Sequence, residues 1–79
     1  PPLSLARGAS ADTLANGALA LGKIDDARHA VETINEIIAA IPGSTLLQVD
    51  TAATRAELLR RQRNLAEADD VLTAAIGTA

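Results

Sequence analysis

The side chains that could carry out chemistry are few and scattered in this sequence. His29 is the only histidine and there is no cysteine, so the sequence offers no histidine pair for a metal and no obvious arrangement of a nucleophile with a base. Two acidic pairs, Asp25-Asp26 and Asp69-Asp70, lie near predicted helix starts, where negative charge is favourable for structural reasons. Adjacent helical residues also do not face each other. We therefore expect no catalytic, cofactor-binding or metal-binding residues.

The charged residues show a mild acidic excess and one distinctive cluster. Ten acidic and seven basic side chains give a net charge of −3, which disfavours nucleic acid or an anionic membrane as partner. The cluster consists of Arg55, Arg60, Arg61 and Arg63 and has no aromatic residues that could stack on bases. We interpret it as a solvated helical face, with contact to an acidic peptide as the functional alternative.

The composition predicts that helices position these side chains. The 79 residues include no Phe, Trp, Tyr or Met, so the core of one small domain must consist of Ala, Leu, Ile and Val. Many alanines beside leucines are typical of closely packed helices. The longest uncharged stretch, Ile37 to Val49, is too short to span a bilayer and contains Pro42-Gly43. We expect a soluble, cytoplasmic protein without membrane insertion.

Two helices are predicted in the first half of the chain. The first runs from an N-cap at Ser10 to a stop at Gly22, and Gly17 inside it costs about 1 kcal/mol unless another helix crosses closely there. Its inner stripe is Ala11, Leu14, Ala15, Ala18 and Leu19. The second starts with Asp25-Asp26, ends at Pro42-Gly43 and has the clearest pattern. Its inner stripe is Ala27, Ala30, Val31, Ile34, Ile37, Ile38 and Ile41.

Two more helices are predicted in the second half. Ser44 is the expected N-cap of the third, and Asn64 begins a capping-box pattern for the fourth, which Gly77 ends. The inner stripe of the third helix is Val49, Ala52, Ala53, Ala56 and Leu59. That of the fourth is Leu65, Ala68, Val71, Leu72, Ala75 and Ile76. Short connections predict that consecutive helices lie antiparallel as neighbours.

The sequence repeats itself at an offset of 41 residues. The offset aligns apolar or acidic positions of the first half with similar ones of the second. The pairs are Ala11 with Ala52, Ala15 with Ala56, Ala18 with Leu59, Ile24 with Leu65, Asp26 with Glu67, Ala27 with Ala68, Ala30 with Val71, Val31 with Leu72 and Ile34 with Ala75. The two halves are therefore predicted to be copies of one helix-turn-helix unit.

These residues resemble the tetratricopeptide repeat family. The segment from Leu21 to Ala27, followed by Val31 and Ile34, is similar to the family's turn and second helix, and Leu14, Ala15 and Ala18 are similar to its first helix. The sequence departs from the family in its longer period, in alanines at the aromatic positions, in the place of Pro42, and in Arg55 and Arg63 where Leu and Gly are expected. Such arrays usually need about three units, so this pair could be a piece of a longer array.

The resemblance implies an all-α fold of two antiparallel helix-turn-helix hairpins stacked as a right-handed superhelix. The expected divisions are an N-terminal extension (1–9), a first hairpin (10–43), a second hairpin (44–77) and a tail (78–79). It also implies a non-enzymatic module that binds a peptide or helix of a partner protein, with some acidic character, in a groove. The implied lining is Asp12, Asn16 and Leu19 in the first unit and Asp50, Ala53, Glu57, Arg60 and Arg61 in the second.

Two other functions remain open from the sequence. The chain could be a dimerising docking segment of a larger protein, broadly like those of polyketide synthases, in which the isoleucine stripe of the second helix pairs with its copy. It could also be an accessory tail of a bacterial transcription regulator, since Ala52 to Ile76 also resembles the tetratricopeptide-like tail of some alternative sigma factors. Self-association is compatible with both the binding and the docking hypotheses.

Overall fold

The computed structural model describes residues 4–78 and shows an all-α fold of two helical hairpins. The helices are α1 (Leu5–Ala20), α2 (Ile24–Ala40), α3 (Thr45–Arg61) and α4 (Leu65–Thr78). The Cα atoms extend over 30 × 28 × 14 Å. The shortest dimension is the depth of two packed helices, so the interior is a thin layer between them.

The first helix begins earlier than the sequence pattern predicts. Ser4, not Ser10, is its N-cap: Ser4 is extended, with φ −151° and ψ 160°, and its Oγ accepts a hydrogen bond from the backbone N–H of Arg7 at 3.1 Å. Ser10 lies inside α1. Residues 5–9, expected in an N-terminal extension, thus form the first turns of α1, because both serines satisfy the capping preference and the upstream one is used. Residues 1–3 of that extension, and Ala79 of the tail, lie outside the described part.

The second helix confirms its predicted start and end, and four of the seven residues of its predicted inner stripe are buried, while Ala30, Ile38 and Ile41 are partly exposed. Asp25 and Asp26 occupy its first turn, and it stops at Ala40, just before Ile41-Pro42. Residues before a proline avoid helical geometry, which explains the extended Ile41. The buried residues of the stripe are Ala27, Val31, Ile34 and Ile37. Ala15, Leu19, Ala27, Val31 and Leu58 form the central cluster of the core.

The turns inside the two hairpins have the same geometry. Gly22 has a φ of +75°, and the N–H groups of Gly22 and Lys23 donate to the carbonyls of Leu19 and Ala18 at 3.1 and 2.8 Å. This is the Schellman arrangement, which needs a left-handed residue after the helix. The second turn repeats it 41 residues later, with Arg63 (φ +62°) donating to Arg60 at 2.9 Å and Asn64 donating to Leu59 at 2.8 Å.

Replacing Arg63 with glycine is expected to stabilise the protein. Arg63 holds the left-handed conformation that glycine holds in the first turn, and that conformation is strained for a residue with a Cβ. We expect Arg63→Gly to raise the free energy of unfolding by about 0.5–1 kcal/mol, measured by urea titration followed by helical circular dichroism. The matched change Gly22→Arg should lower it by a similar amount. A loss of stability in Arg63→Gly would contradict the shared turn geometry.

The second hairpin agrees with the predicted helix starts but not with all predicted contacts. Ser44 precedes α3 as expected, yet its hydroxyl does not cap the helix and instead donates to the carbonyl of Ile38 at 3.3 Å. Asn64 directly precedes α4. Ala52 and Ala56 are buried as predicted, whereas Ala53 is exposed. The buried face of α3 is completed by Leu47, Thr51, Thr54 and Leu58.

The hairpins stack through α3, which packs against both α1 and α2. A Cβ added to Gly8 would lie 2.7 Å from Cδ2 of Leu47, and Oγ1 of Thr54 donates to Oδ1 of Asn16 at 3.1 Å. The contact of Gly8 with Leu47 is followed by that of Asn16 with Thr54, so residue numbers increase in the same direction along both helices and α1 and α3 are parallel. Within residues 4–78 the backbone of α4 comes into packing range of α3 and no other helix.

Several predicted inner residues are exposed instead. Leu14 is 69% exposed, Leu65 is 62% exposed and Ile76 is 77% exposed. The prediction that these three face the core is wrong, because each of their helices has one face without a neighbouring helix. Only Ala68 of the predicted α4 stripe is buried in the described residues.

Candidate functional site

The predicted groove residues of α1 are turned toward α3 rather than toward a partner. Leu19 is 5% exposed and belongs to the core, so its expected place in a groove lining is wrong. Asn16 is exposed, but its side chain accepts from Thr54 at 3.1 Å and donates to Oδ2 of Asp12 at 3.4 Å. Oδ1 of Asp12 is buried and has no hydrogen-bond partner among residues 4–78. These residues therefore help to join the two hairpins.

The predicted groove residues of α3 share one helical face. Asp50 and Ala53 are exposed, and Glu57 is bonded to Nη2 of Arg60 and to Nε of Arg61, both at 2.9 Å. Nη1 of Arg61 also donates to the carbonyl of Leu19 at 3.2 Å, which connects the end of α3 to the end of α1. This face is accessible, but its charges are largely paired with one another.

The ion pairs of Glu57 make the stability of the folded protein depend on pH. Hydrogen bonding to Arg61, followed by the charges of the two arginines, lowers the pKa of Glu57 below its ordinary value of 4.5. A carboxylate with a lowered pKa in the folded state adds stability above its unfolded pKa, and this contribution is lost as the pH falls through the folded pKa. The stabilisation is therefore fully present near neutral pH. It is lost progressively below about pH 4.5, as the pH falls through the lowered pKa of Glu57 in the folded protein.

Glu57→Gln should make stability less dependent on pH on the acid side. We expect the difference in melting temperature between the wild type and Glu57→Gln to be largest near neutral pH and to shrink toward about pH 3. Thermal melts across that range would measure it. Glu36→Gln, which changes an exposed glutamate of α2, serves as the matched control. A difference that grows on acidification would contradict the proposed role of Glu57.

Arg55 lies between the hairpins and is separate from the other arginines of the predicted cluster. Its Nη2 donates to the carbonyl of Gln48 at 2.7 Å and its Nε to Oγ1 of Thr51 at 3.1 Å. Burial lowers the pKa of Arg55, and the nearby charge of Asp12 opposes that shift. The four arginines thus do not form one solvated face: Arg55 is partly buried and Arg63 sits in a turn.

Among residues 4–78, no cluster of three or more His, Asp or Glu side chains is arranged to hold a metal ion. His29 is exposed on α2, as the sequence pattern predicts. No helix in the same range is both long and apolar enough to cross a lipid bilayer.

A large concave surface lies on the side of the first hairpin that faces away from α3. This groove has a volume of about 770 Å³ and its lining is mainly apolar. Leu14 and Leu21 stand on one wall and Ala30 on the other, and a Cβ added to Gly17 would meet no atom within 4 Å. No helix of residues 4–78 crosses α1 closely at Gly17, so Gly17 does not serve an internal helix crossing within that range. We call this surface the outer groove.

Sequence reasoning missed the outer groove although a signal was present. Leu14, Gly17, Ala18 and Leu21 follow one another at three- and four-residue spacing and form a second stripe on α1. The stripe overlaps the one assigned to the core, so α1 is apolar on two sides. A helix apolar on two sides is suited to packing against a neighbour on each.

No family model, curated protein or solved structure matches the chain. The structure itself shows an all-α protein of two helical hairpins, and the first hairpin presents an open apolar groove.

Proposed function

We propose that this chain is a non-enzymatic protein-interaction module that binds an α-helix of a protein partner in the outer groove. Its hairpins would form part of a tetratricopeptide-like right-handed superhelix. The observation that carries the proposal is the open apolar surface between α1 and α2, with two leucines 69% and 73% exposed beside it. Amphipathic helices bind such grooves through apolar side chains at three- and four-residue spacing.

The charges around the outer groove favour an acidic partner helix. Two basic residues, Arg7 and Lys23, line it together with a single acidic residue, Asp26. Complementary charge at a rim increases the rate and specificity of binding more than its strength. A helix with aliphatic residues on one side and carboxylates beside them fits this surface best. This agrees with the acidic partner expected from the sequence and relocates its binding site.

The surface implied by the family resemblance is the competing location. It comprises the exposed residues Asp50 and Ala53 with the ion-paired Glu57, Arg60 and Arg61. Because those arginines already pair with Glu57, a partner carboxylate there would have to compete for them. Arg60→Glu tests this location, since Arg60 is an exposed residue whose change should leave the fold intact.

A labelled model peptide tests the proposal directly. The probe is a helical peptide of about four turns with leucines at every third and fourth position and glutamates elsewhere. Fluorescence anisotropy should show saturable binding to the wild type, at least about tenfold weaker binding to Leu14→Glu, and unchanged binding to Arg60→Glu.

A peptide of the same design with lysine in place of glutamate controls for charge and should bind more weakly. Absence of acidic-peptide binding, or equal binding to Leu14→Glu and the wild type, would contradict the outer groove as a helix-binding site. Loss of binding in Arg60→Glu alone would assign the function to the competing α3 surface.

A further inference from the structure

The outer groove has a counterpart in the second hairpin that is already covered by a helix. A cavity of about 290 Å³ there is lined by hairpin-two residues at the 41-residue offset from residues of the outer groove. The pairs are Arg55 with Leu14, Leu58 with Gly17, Leu59 with Ala18, Gln62 with Leu21, Glu67 with Asp26 and Val71 with Ala30. In the second hairpin, α2 forms the opposite wall and closes this surface.

The same offset identifies the part of the chain that corresponds to that covering helix. The α2 residues on the cavity wall are Arg28, Val31, Glu32 and Asn35. Their counterparts on α4 are Asp69, Leu72, Thr73 and Ile76. Ile76 is 77% exposed and Leu72 is partly exposed, so this face of α4 has no helix upon it within the described residues.

We propose that the outer groove of one copy of this chain binds α4 of a second copy, in the way that α2 packs on the second hairpin. The inference rests on the proposed function and names the partner for the same site. The proposed contact repeats the packing of α2 on the second hairpin that already exists inside the chain. The outer groove at one end of the molecule and the outward face of α4 at the other are the two surfaces that this packing leaves uncovered in the described residues.

The size and polarity of the side chains support this pairing. The floor of the outer groove has Gly17, Ala18 and Ala30, each smaller than its counterpart in the second hairpin. On the covering face two of the four residues become larger and apolar, since Leu72 replaces Val31 and Ile76 replaces the polar Asn35, whereas Asp69 and Thr73 are smaller than Arg28 and Glu32. We call this face of α4 the ridge, and it is more apolar than the corresponding face of α2.

Charge supports it as well. The covering face of α4 carries Asp69 where α2 has Arg28, and the described part of α4 has no basic residue. The outer groove offers Arg7 and Lys23 against Asp26. α4 is therefore the helix of this chain that best matches the acidic partner deduced from the groove.

The arrangement is head-to-tail, because the groove and the ridge are different surfaces of one molecule. A heterologous contact of this kind leaves one groove and one ridge open at the ends of every assembly. We expect the weight-average mass in sedimentation to rise with concentration past that of a dimer between about 10 μM and about 1 mM. Leu14→Glu and Ile76→Glu should each shift this rise to at least about tenfold higher concentration.

Mixing the two variants gives the decisive result. Leu14→Glu keeps an intact ridge and Ile76→Glu keeps an intact groove, so an equimolar mixture should form a one-to-one dimer and stop there. Both residues are exposed, and circular dichroism should confirm that each variant keeps its helices. Arg60→Glu, outside both surfaces, should associate like the wild type.

The outcomes separate this inference from the proposed function. A wild type that stays monomeric over the whole range while still binding the acidic peptide would overturn the second copy as partner and leave the outer groove as a binding site. A dimer of fixed mass, or variants that fail to complement each other, would overturn the head-to-tail arrangement. Failure of both assays would remove the groove function altogether.

Discussion

Ile37→Ala is expected to lower the free energy of unfolding by about 2–5 kcal/mol, the largest effect of any single change considered for this protein. Ile37 is fully buried on α2, which packs against both α1 and α3. Truncation removes the transfer free energy of its side chain and leaves a cavity. With no aromatic residue or methionine in the chain, few large or flexible side chains can refill that space.

Urea titration followed by helical circular dichroism would measure this loss, and the absence of Trp and Tyr makes that signal the practical one. Since small domains are stable by about 5–15 kcal/mol, Ile37→Ala removes a large share of the total. Leu46→Ala is the matched control: Leu46 is 73% exposed, so its truncation should change stability by no more than about 0.5 kcal/mol. Equal effects of the two changes would contradict the assigned core.

Arg55→Met is expected to destabilise the protein by about 1–3 kcal/mol even though it removes a partly buried charge and keeps a long, flexible side chain. The guanidinium donates to the carbonyl of Gln48 and to the hydroxyl of Thr51, and its charge faces Asp12. Without it, the buried Oδ1 of Asp12, which has no hydrogen-bond donor among residues 4–78, also loses the nearby positive charge. The cost therefore arises chiefly from the carboxylate left behind.

A double-mutant cycle tests this cause. Asp12→Leu combined with Arg55→Met should recover most of the stability lost in Arg55→Met, because the double change removes both of the nearby, partly buried opposite charges and leaves neither uncompensated. Arg28→Met is the matched control, since Arg28 forms only exposed ion pairs on α2. Additive effects in the cycle would show that Asp12 and Arg55 act independently.

The helices could be predicted from sequence to the extent that each has a single apolar face. α2 has one polar face and one apolar face, and its bounds and four of the seven residues of its predicted stripe agree with the structure. α1 is apolar on two sides and offers two serines as N-cap candidates. The sequence therefore predicts the wrong first residue for this helix and wrongly predicts that Leu14 is buried. α4 has no helix over its outer face, so hydrophobicity alone could not show that Ile76 is exposed.

The candidate site depended on tertiary contacts that local spacing does not contain. Leu19 was placed in a groove by family resemblance, but the packing of α3 on α1 buries it. The isoleucine stripe, considered for docking to a copy, has Ile34 and Ile37 fully buried within the chain. The sequence shows that Arg55 and Arg63 differ from the residues that the family pattern expects. It does not show that Arg55 lies between the hairpins or that Arg63 adopts a left-handed conformation in a turn, because both depend on tertiary structure.

Because α4 lies at one edge of the fold, we expect it to unfold before the other three helices. Every other helix rests against at least two neighbours in the described range, whereas α4 rests against α3 alone. Its detachment sacrifices the fewest contacts, so its amides should exchange with solvent through partial unfolding while α1 to α3 remain assembled. α4 is therefore the helix that separates most readily from the rest of the protein, and a partner that covers it should stabilise it most.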